Sequence, residues 1–528
     1  MGQRFRVRAR IAFLALGVAA MAAAIGTHAA GSAPTVKIDT GKLEGKSDGT
    51  ITAFLGVPFA KPPVGDLRWK PPVAPAKWKG VRKATEFGSR CMQGRVFDDM
   101  IFRDPGISED CLYLNVWTPA KLGKGKDKLP VMVWIYGGGF VGGATSEPRQ
   151  DGTNLAKEGV VVVSMNYRLG IFGFFAHPEL AKENSHNATG NYGLMDQSAA
   201  LQWVKRNIAQ FGGDPGNVTI FGESAGSFSV SEQMASPVSK GLFHKAIGES
   251  GGAFSSQGLP FRTREQSAEE GAKFAKEHLS ADTLAALRAI PAQKVLDAQM
   301  AAKGERFAPN VDGYFLPETP EAIFGAGKQS DVPLLAGWNR DEGSFGVPKE
   351  NQAAALKAIA TKDFPSKSDE FLQLYPADND DEAKRSIADY MGDHFIAFST
   401  WKWMDAQKKT GKAPVYRYRF DMDHPKDPKR GPEEAGAYHS AEIEFVFGAL
   451  DSETWISWRP EDHKLTELMR KYWSNFAKRG DPNGEGLPNW PTYEADTGWE
   501  VMHLDADPKA VKDMHRNRHE FLGTVWGK

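Results

Sequence analysis

Val218-Thr219-Ile220-Phe221-Gly222-Glu223-Ser224-Ala225-Gly226 is the stretch on which the fold turns. Its first four residues are a short β-branched and aromatic run of the kind that suits a buried strand. A Gly-x-Ser-x-Gly pentapeptide follows at once, and a helical pattern through Val230 and Met234 comes after it. The pentapeptide alone is common. Between a strand and a helix it predicts a tight, strained turn that lifts a serine hydroxyl out at the end of a sheet. Small residues are needed at both ends, because side chains there would collide. Ser224 is therefore the candidate nucleophile. Taken in isolation, the pentapeptide also admits a structural glycine turn with an idle serine.

Other apolar runs read as further strands. Leu112 to Trp117 alternates, while Val131 to Tyr136 and Val160 to Met165 are nearly continuous. Continuous runs suit a parallel sheet covered on both faces. Leu201, Val204, Ile208 and Phe211 mark one face of a helix, ended by Gly212-Gly213 and then Pro215. Strands alternating with helices define an α/β class. Together with the serine turn they predict an α/β-hydrolase fold, a mostly parallel central sheet with helices on both faces. Residues around 255–310 and 345–410 are rich in Ala, Lys, Glu and Gln at helical spacing. They are expected to be helical insertions over one end of the sheet, a cap on one catalytic domain spanning 31–528. Near the C-terminus, Tyr416, Tyr418 and Phe420 alternate with Arg417 and Arg419, which suggests a half-exposed strand. Leu465, Leu468, Tyr472 and Phe476 then mark a last amphipathic helix, stopped by Gly480 and Pro482.

Composition narrows the function. The 528 residues are 41% hydrophobic and 25% charged, with a net charge of −1. A nucleic-acid binder would carry a basic excess, so that class is set aside. Arg4, Arg6, Arg8 and Arg10 precede an apolar run from Ile11 to Ile25, and Thr27-His28-Ala29-Ala30 follows. This is the layout of a secretory signal peptide over residues 1–30, with an uncleaved anchor as the competing reading. No later segment offers eighteen uninterrupted apolar residues, so no membrane span is expected after processing. The processed chain is expected to be secreted or periplasmic. Cys91 and Cys111 are the only cysteines. An even pair in an exported chain suggests one disulfide, closing a loop of roughly 20 residues and worth about 3 kcal/mol. Two cysteines make no zinc site by themselves and no His-Glu-x-x-His occurs, so no metal is expected.

A serine hydroxyl needs a base, and the base needs an acid to orient it. In this fold the chain order is serine, acid, histidine. Asn339-Arg340-Asp341-Glu342-Gly343, just after the apolar run Val332 to Gly337, offers two acids on a loop following a strand. His439 sits on a glycine-containing loop before Ile443 to Phe447. Position alone does not choose it over His177, His186, His244, His278 or His394. An oxyanion hole is also required. One N–H should come from Ala225, and others from Gly137-Gly138-Gly139, after the strand ending at Tyr136. Gly137, Gly139 and Gly142 also satisfy a dinucleotide fingerprint, but Thr145, Ser146, Pro148 and Gly152 follow where that motif needs a helix.

These motifs make the chain similar to the type-B carboxylesterase family, which includes cholinesterases and bacterial carboxylesterases. Phe211-Gly212-Gly213, four residues, then Val218 to Gly226 resembles the family's serine signature. Glu109-Asp110-Cys111-Leu112-Tyr113-Leu114-Asn115-Val116 resembles its second signature. The likeness runs from about Val36 to about Tyr493. It implies Glu342 rather than Asp341 as the acid and His439 as the base, the latter because Glu442 to Gly448 follows. It implies Gly138, Gly139 and Ala225 as oxyanion donors and pairs Cys91 with Cys111. Glu223 and Ser250 match positions near the triad, with a tuning and hydrogen-bonding role. Cholinesterases hold choline on a tryptophan inside the first disulfide loop. Here that loop has only Phe97 and Phe102 as aromatic residues, which speaks against choline esters and for a bacterial-type carboxylesterase.

The expected activity is hydrolysis of small-molecule carboxylic esters through an acyl-enzyme, with no cofactor. The same machinery serves amides and carbamates, and an adhesion protein that keeps only the fold is a further alternative. Phe140, Phe254 and Phe315 are candidate pocket residues. The oligomeric state is not legible.

Overall fold

The computed structural model describes residues 33–122, 127–254, 261–302, 304–428 and 436–526. The leader read over residues 1–30 lies outside them. Among the described residues, eleven strands form one large sheet. We number them β1 (Lys46–Ser47), β2 (Thr52–Pro58), β3 (Tyr113–Thr118), β4 (Leu129–Ile135), β5 (Val161–Met165), β6 (Gly213–Glu223), β7 (Lys245–Glu249), β8 (Leu334–Asn339), β9 (Val415–Phe420), β10 (Glu500–Leu504) and β11 (Lys509–Lys512). The order across the sheet is β11-β10-β9-β8-β7-β6-β4-β5-β3-β2-β1. From β5 across to β10 every pairing is parallel. The two flanks are antiparallel. The continuous apolar runs of β4, β5 and β6 are the fully buried centre of this sheet, as such runs require.

Helices pack around the sheet. The helix read from Leu201 is α1 (Tyr192–Asn207), followed by a 3-10 turn and closed by Gly212 at φ 81°. The helix after the serine is α2 (Ala225–Ala235), which lies against β4, β6 and β7. The stretch read around 255–310 contains α3 (Arg264–His278), α4 (Leu284–Ala289) and α5 (Ala292–Ala301). The stretch read around 345–410 contains α6 (Gln352–Asp363), α7 (Ser368–Leu374), α8 (Asp380–Gly392) and α9 (Phe398–Thr410). A π-helical segment, Asp393–Ala397, joins α8 to α9. Then come α10 (Ile443–Phe447) and α11 (Pro460–Arg479), the latter ended by Gly480 at φ 79°. Among the described residues no helix is long and apolar enough to cross a membrane.

Two expectations are corrected. β9 is not half-exposed: it lies between β8 and β10 in the sheet, and Arg417 is 2% exposed. Its guanidinium stacks on Trp338 at 4.2 Å and pairs with the Asp513 carboxylate, so the alternation of aromatic and basic residues records a buried ion pair, not a wet face. Nor is α11 the last helix. β10, β11 and α12 (Arg516–Trp526) follow it, and Phe521 and Leu522 of α12 join the core.

The parallel arrangement sends the carboxyl ends of neighbouring strands to one edge. In register, Gly222 of β6 faces Ile135 of β4 on one side and Gly248 of β7 on the other. The loops after β4, β6, β7, β8 and β9 therefore meet at this edge, where open α/β sheets gather their functional groups.

Candidate active site

Ser224 stands between β6 and α2 with φ 54° and ψ −124°, a conformation that L-residues rarely adopt. It is held there by bonds on both sides: its N–H donates to Glu249 O at 2.8 Å and its carbonyl accepts from Phe228 N–H at 2.9 Å. The flanking glycines are enforced by close packing. A Cβ on Gly226 would sit 1.9 Å from Ile135 O, and one on Gly222 would sit 2.6 Å from the same oxygen. The strained turn expected from the pentapeptide is thus present.

The structure brings Glu342 and His439 together across 97 residues: His439 Nδ1 lies 2.7 Å from Glu342 Oε2. The other carboxylate oxygen of Glu342 accepts from Ser250 Oγ at 2.6 Å and from Asn339 N–H at 3.0 Å. Both oxygens are therefore committed, and the carboxylate is fixed in orientation. Asp341 also borders the cavity of Ser224, but its carboxylate is bonded elsewhere. It accepts from Arg340, Arg385 and the N–H of Ala437, tying the histidine loop to α8. The competing histidines are also placed. His177 Nδ1 accepts from Glu179 N–H, His244 Nδ1 accepts from Val218 N–H, His186 stacks on Tyr314, and His278 meets Glu305. His394 shares a cavity with Ser224 and His439.

That cavity holds about 670 Å³ and is also lined by Gly138, Gly139, Ala225, Glu223 and Glu342. Gly138 and Gly139 adopt φ 97° and 62°, which turns the loop back on itself, with Val141 N–H and Gly142 N–H both donating to Gly138 O at 3.0 Å. Ala225 is the first residue of α2, so its N–H lies outside the helical ladder. The three residues thus border one space with Ser224.

The charges are unusual. Burial pushes Glu223 up to about 7, against the pull of His439 and Arg149. Burial likewise pushes Glu442 up to about 8, with Glu223 and Glu342 adding to it. For His439, burial opposes the imidazolium, but Glu342 and then Glu223 outweigh it and raise the group to about 10. His439 Nε2 lies 3.2 Å from Glu223 Oε1.

The expected disulfide is present, but sequence reasoning missed the role of Gln93 and most of the cavity lining. Gln93, two residues after Cys91, clamps the glycine loop: its amide donates to Gly143 O at 2.8 Å and accepts from Gly143 N–H at 2.9 Å. The Cys91–Cys111 disulfide is formed, and Gln93 also donates to Cys91 O, so bridge and loop are mechanically joined. Phe97 and Met100 of the same loop line the cavity, as do Phe345, Met391 and Phe395 from the helical stretch after β8. Of the pocket residues named from sequence, Phe140 lines the cavity and Phe254 lines a smaller one beside it. Phe315 is fully buried and belongs to the core.

A mainly parallel sheet with a strained serine at a strand-to-helix turn defines an α/β-hydrolase. The chain belongs to the carboxylesterase family, whose family model matches residues 32–522. It is 37% identical to para-nitrobenzyl esterase of Bacillus subtilis (strain 168) over 503 residues, 91% of this chain and 97% of that one. It is 37% identical to fumonisin B1 esterase of Sphingopyxis macrogoltabida over 487 residues, 86% of this chain and 84% of that one. A solved structure of PNB esterase superposes with a TM-score of 0.79 at 36% identity, covering 93% of this chain and 99% of the other. The protein is a carboxylic ester hydrolase, and its substrates are small-molecule esters.

Proposed function

We propose that the chain is an exported serine esterase in which Ser224, His439 and Glu342 act as one unit. The observation that carries this is the Glu342–His439 hydrogen bond of 2.7 Å, bordering the same cavity as a serine held at φ 54°. Ser224 Oγ attacks the ester carbonyl while its proton passes to His439 Nε2. Catalytic hydrogen bonds of this kind tighten when substrate is bound. Glu342 keeps the other imidazole proton on Nδ1 and balances the positive ring. Gly138, Gly139 and Ala225 direct N–H groups at the developing oxyanion. The alcohol departs with the proton from His439. Water, deprotonated by the same nitrogen, then releases the acid and restores Ser224. The leader over residues 1–30 and the disulfide support export to an oxidising compartment, and residues 31–528 form the catalytic domain.

An acyl-enzyme has a direct consequence. Esters of one acid with different alcohols converge on the same intermediate. In water–methanol mixtures they should all give one ratio of free acid to methyl ester. Ratios that change with the alcohol would mean that no common intermediate forms.

The carboxylates around His439 set the pH response. His439 must be neutral to accept a proton, so activity rises as pH rises through its pKa. Glu223 is ionised above about 7 and stabilises the imidazolium, which keeps that pKa high. Glu223→Gln removes one negative charge beside Nε2. The acid limb of the kcat/KM profile should then move to lower pH by about one unit or more. An unmoved limb would show that Glu223 does not act on His439.

A further inference from the structure

Two guanidiniums line the ester cavity, and they differ in one respect. Arg149 is compensated: it pairs with Glu147 at 2.5 Å and lies 3.7 Å from Glu444. Arg306 has no carboxylate within ion-pair distance among the described residues, whereas Arg288 pairs with Glu183 and Arg340 with Asp423. The residue is exposed, but its guanidinium is partly desolvated, and that together with the like charge of Arg262 disfavours the cation. Arg262 itself is paired, with Glu270 at 3.0 Å. Arg306 also lines the adjoining smaller cavity, together with Phe140, Phe228 and Arg262. Arg306 is solvent-exposed, so it stands at the mouth of the cavity, where a guanidinium with no carboxylate partner is free to receive an anion.

The side of the cavity is fixed by the chemistry of release. The alcohol takes its proton from His439, so it lies toward the His439 wall, where the imidazole packs edge-on against Phe395 at 5.1 Å. The acyl chain then lies away from His439, on the side of Phe140, Phe228 and Arg306, which line both this cavity and the smaller one beside it that neither His439 nor Phe395 lines. We propose that Arg306 selects esters whose acyl group carries a free carboxylate, that is, half-esters of dicarboxylic or polycarboxylic acids. This rests on the reading of Ser224 and His439 as nucleophile and base. Arg306 is a specificity residue: its guanidinium receives the distal carboxylate in a bidentate pair while Phe140 and Phe228 cover the intervening methylenes.

The test compares two p-nitrophenyl esters of matched length, a monoester of glutaric acid and a neutral pentanoate. The readout is the ratio of their kcat/KM values. Arg306→Ala should lower the ratio of anionic to neutral ester at least tenfold, Arg306→Glu should lower it further, and Arg306→Lys should keep part of it. In the wild-type protein the ratio should fall as salt rises from 50 to 500 mM, because the pair forms partly in solvent. A ratio that is the same in wild type, Arg306→Ala and Arg306→Glu overturns the proposal. Fluorophosphonate labelling of each variant shows that its site is folded. Ester turnover that persists in Ser224→Ala would instead count against the nucleophile reading, whatever the ratio does.

Discussion

Replacing Ser224 by alanine should lower kcat by roughly 10⁶-fold, to the level that binding and the oxyanion hole sustain without a nucleophile. The change removes a single oxygen. It leaves the Cβ, the positive φ, and the backbone bonds to Glu249 and Phe228, none of which involves the hydroxyl. Far-UV circular dichroism and the thermal midpoint should therefore match those of the wild type, and substrate analogues should still bind. A variant that keeps its fold and more than about a thousandth of its turnover would mean that another group attacks the ester.

Glu342→Gln should cost about 10⁴-fold in kcat with little change in fold, and the reason is specific to this hydrogen-bond pattern. Oε1 of Glu342 receives two donors, Ser250 Oγ–H and Asn339 N–H. In the glutamine variant the amide oxygen stays with those donors, so the NH₂ group turns to His439 Nδ1. That nitrogen must then accept, the ring proton moves to Nε2, and Nε2 loses the lone pair that Ser224 needs. Steady-state kinetics and a nitrogen NMR assignment of the His439 tautomer read the two effects separately. A loss of activity with the proton still on Nδ1 would point to charge, not tautomer, as the contribution of Glu342.

What could be read in advance was what the chain spells locally. The strand, the Gly-x-Ser-x-Gly turn and α2 are contiguous, and the clash of a Cβ at Gly226 with Ile135 O shows why no larger residue fits. The glycine loop after β4 is equally local. His439 was not legible from position, because its partner lies 97 residues away and five other histidines competed. Only the resemblance singled it out. Arg417 misled because alternation of polar and apolar residues normally marks one wet face; here Asp513, far along the chain, neutralises the charge inside the sheet. Gln93 and the lining residues Phe345, Met391 and Phe395 carried no signal, since their roles arise from which loops meet at the sheet edge. Cys91 was the nearest hint: a bridge beside a glycine loop marks a segment that has to be held still.

The most direct test of the central claim is covalent. Treated with a fluorophosphonate, the protein should gain one phosphonyl group per chain, on the peptide that carries Ser224, and activity should fall in step with its appearance. Complete inactivation with the label on any other residue, or labelling of Ser224→Ala at the wild-type rate, would contradict the assignment of Ser224 as the nucleophile.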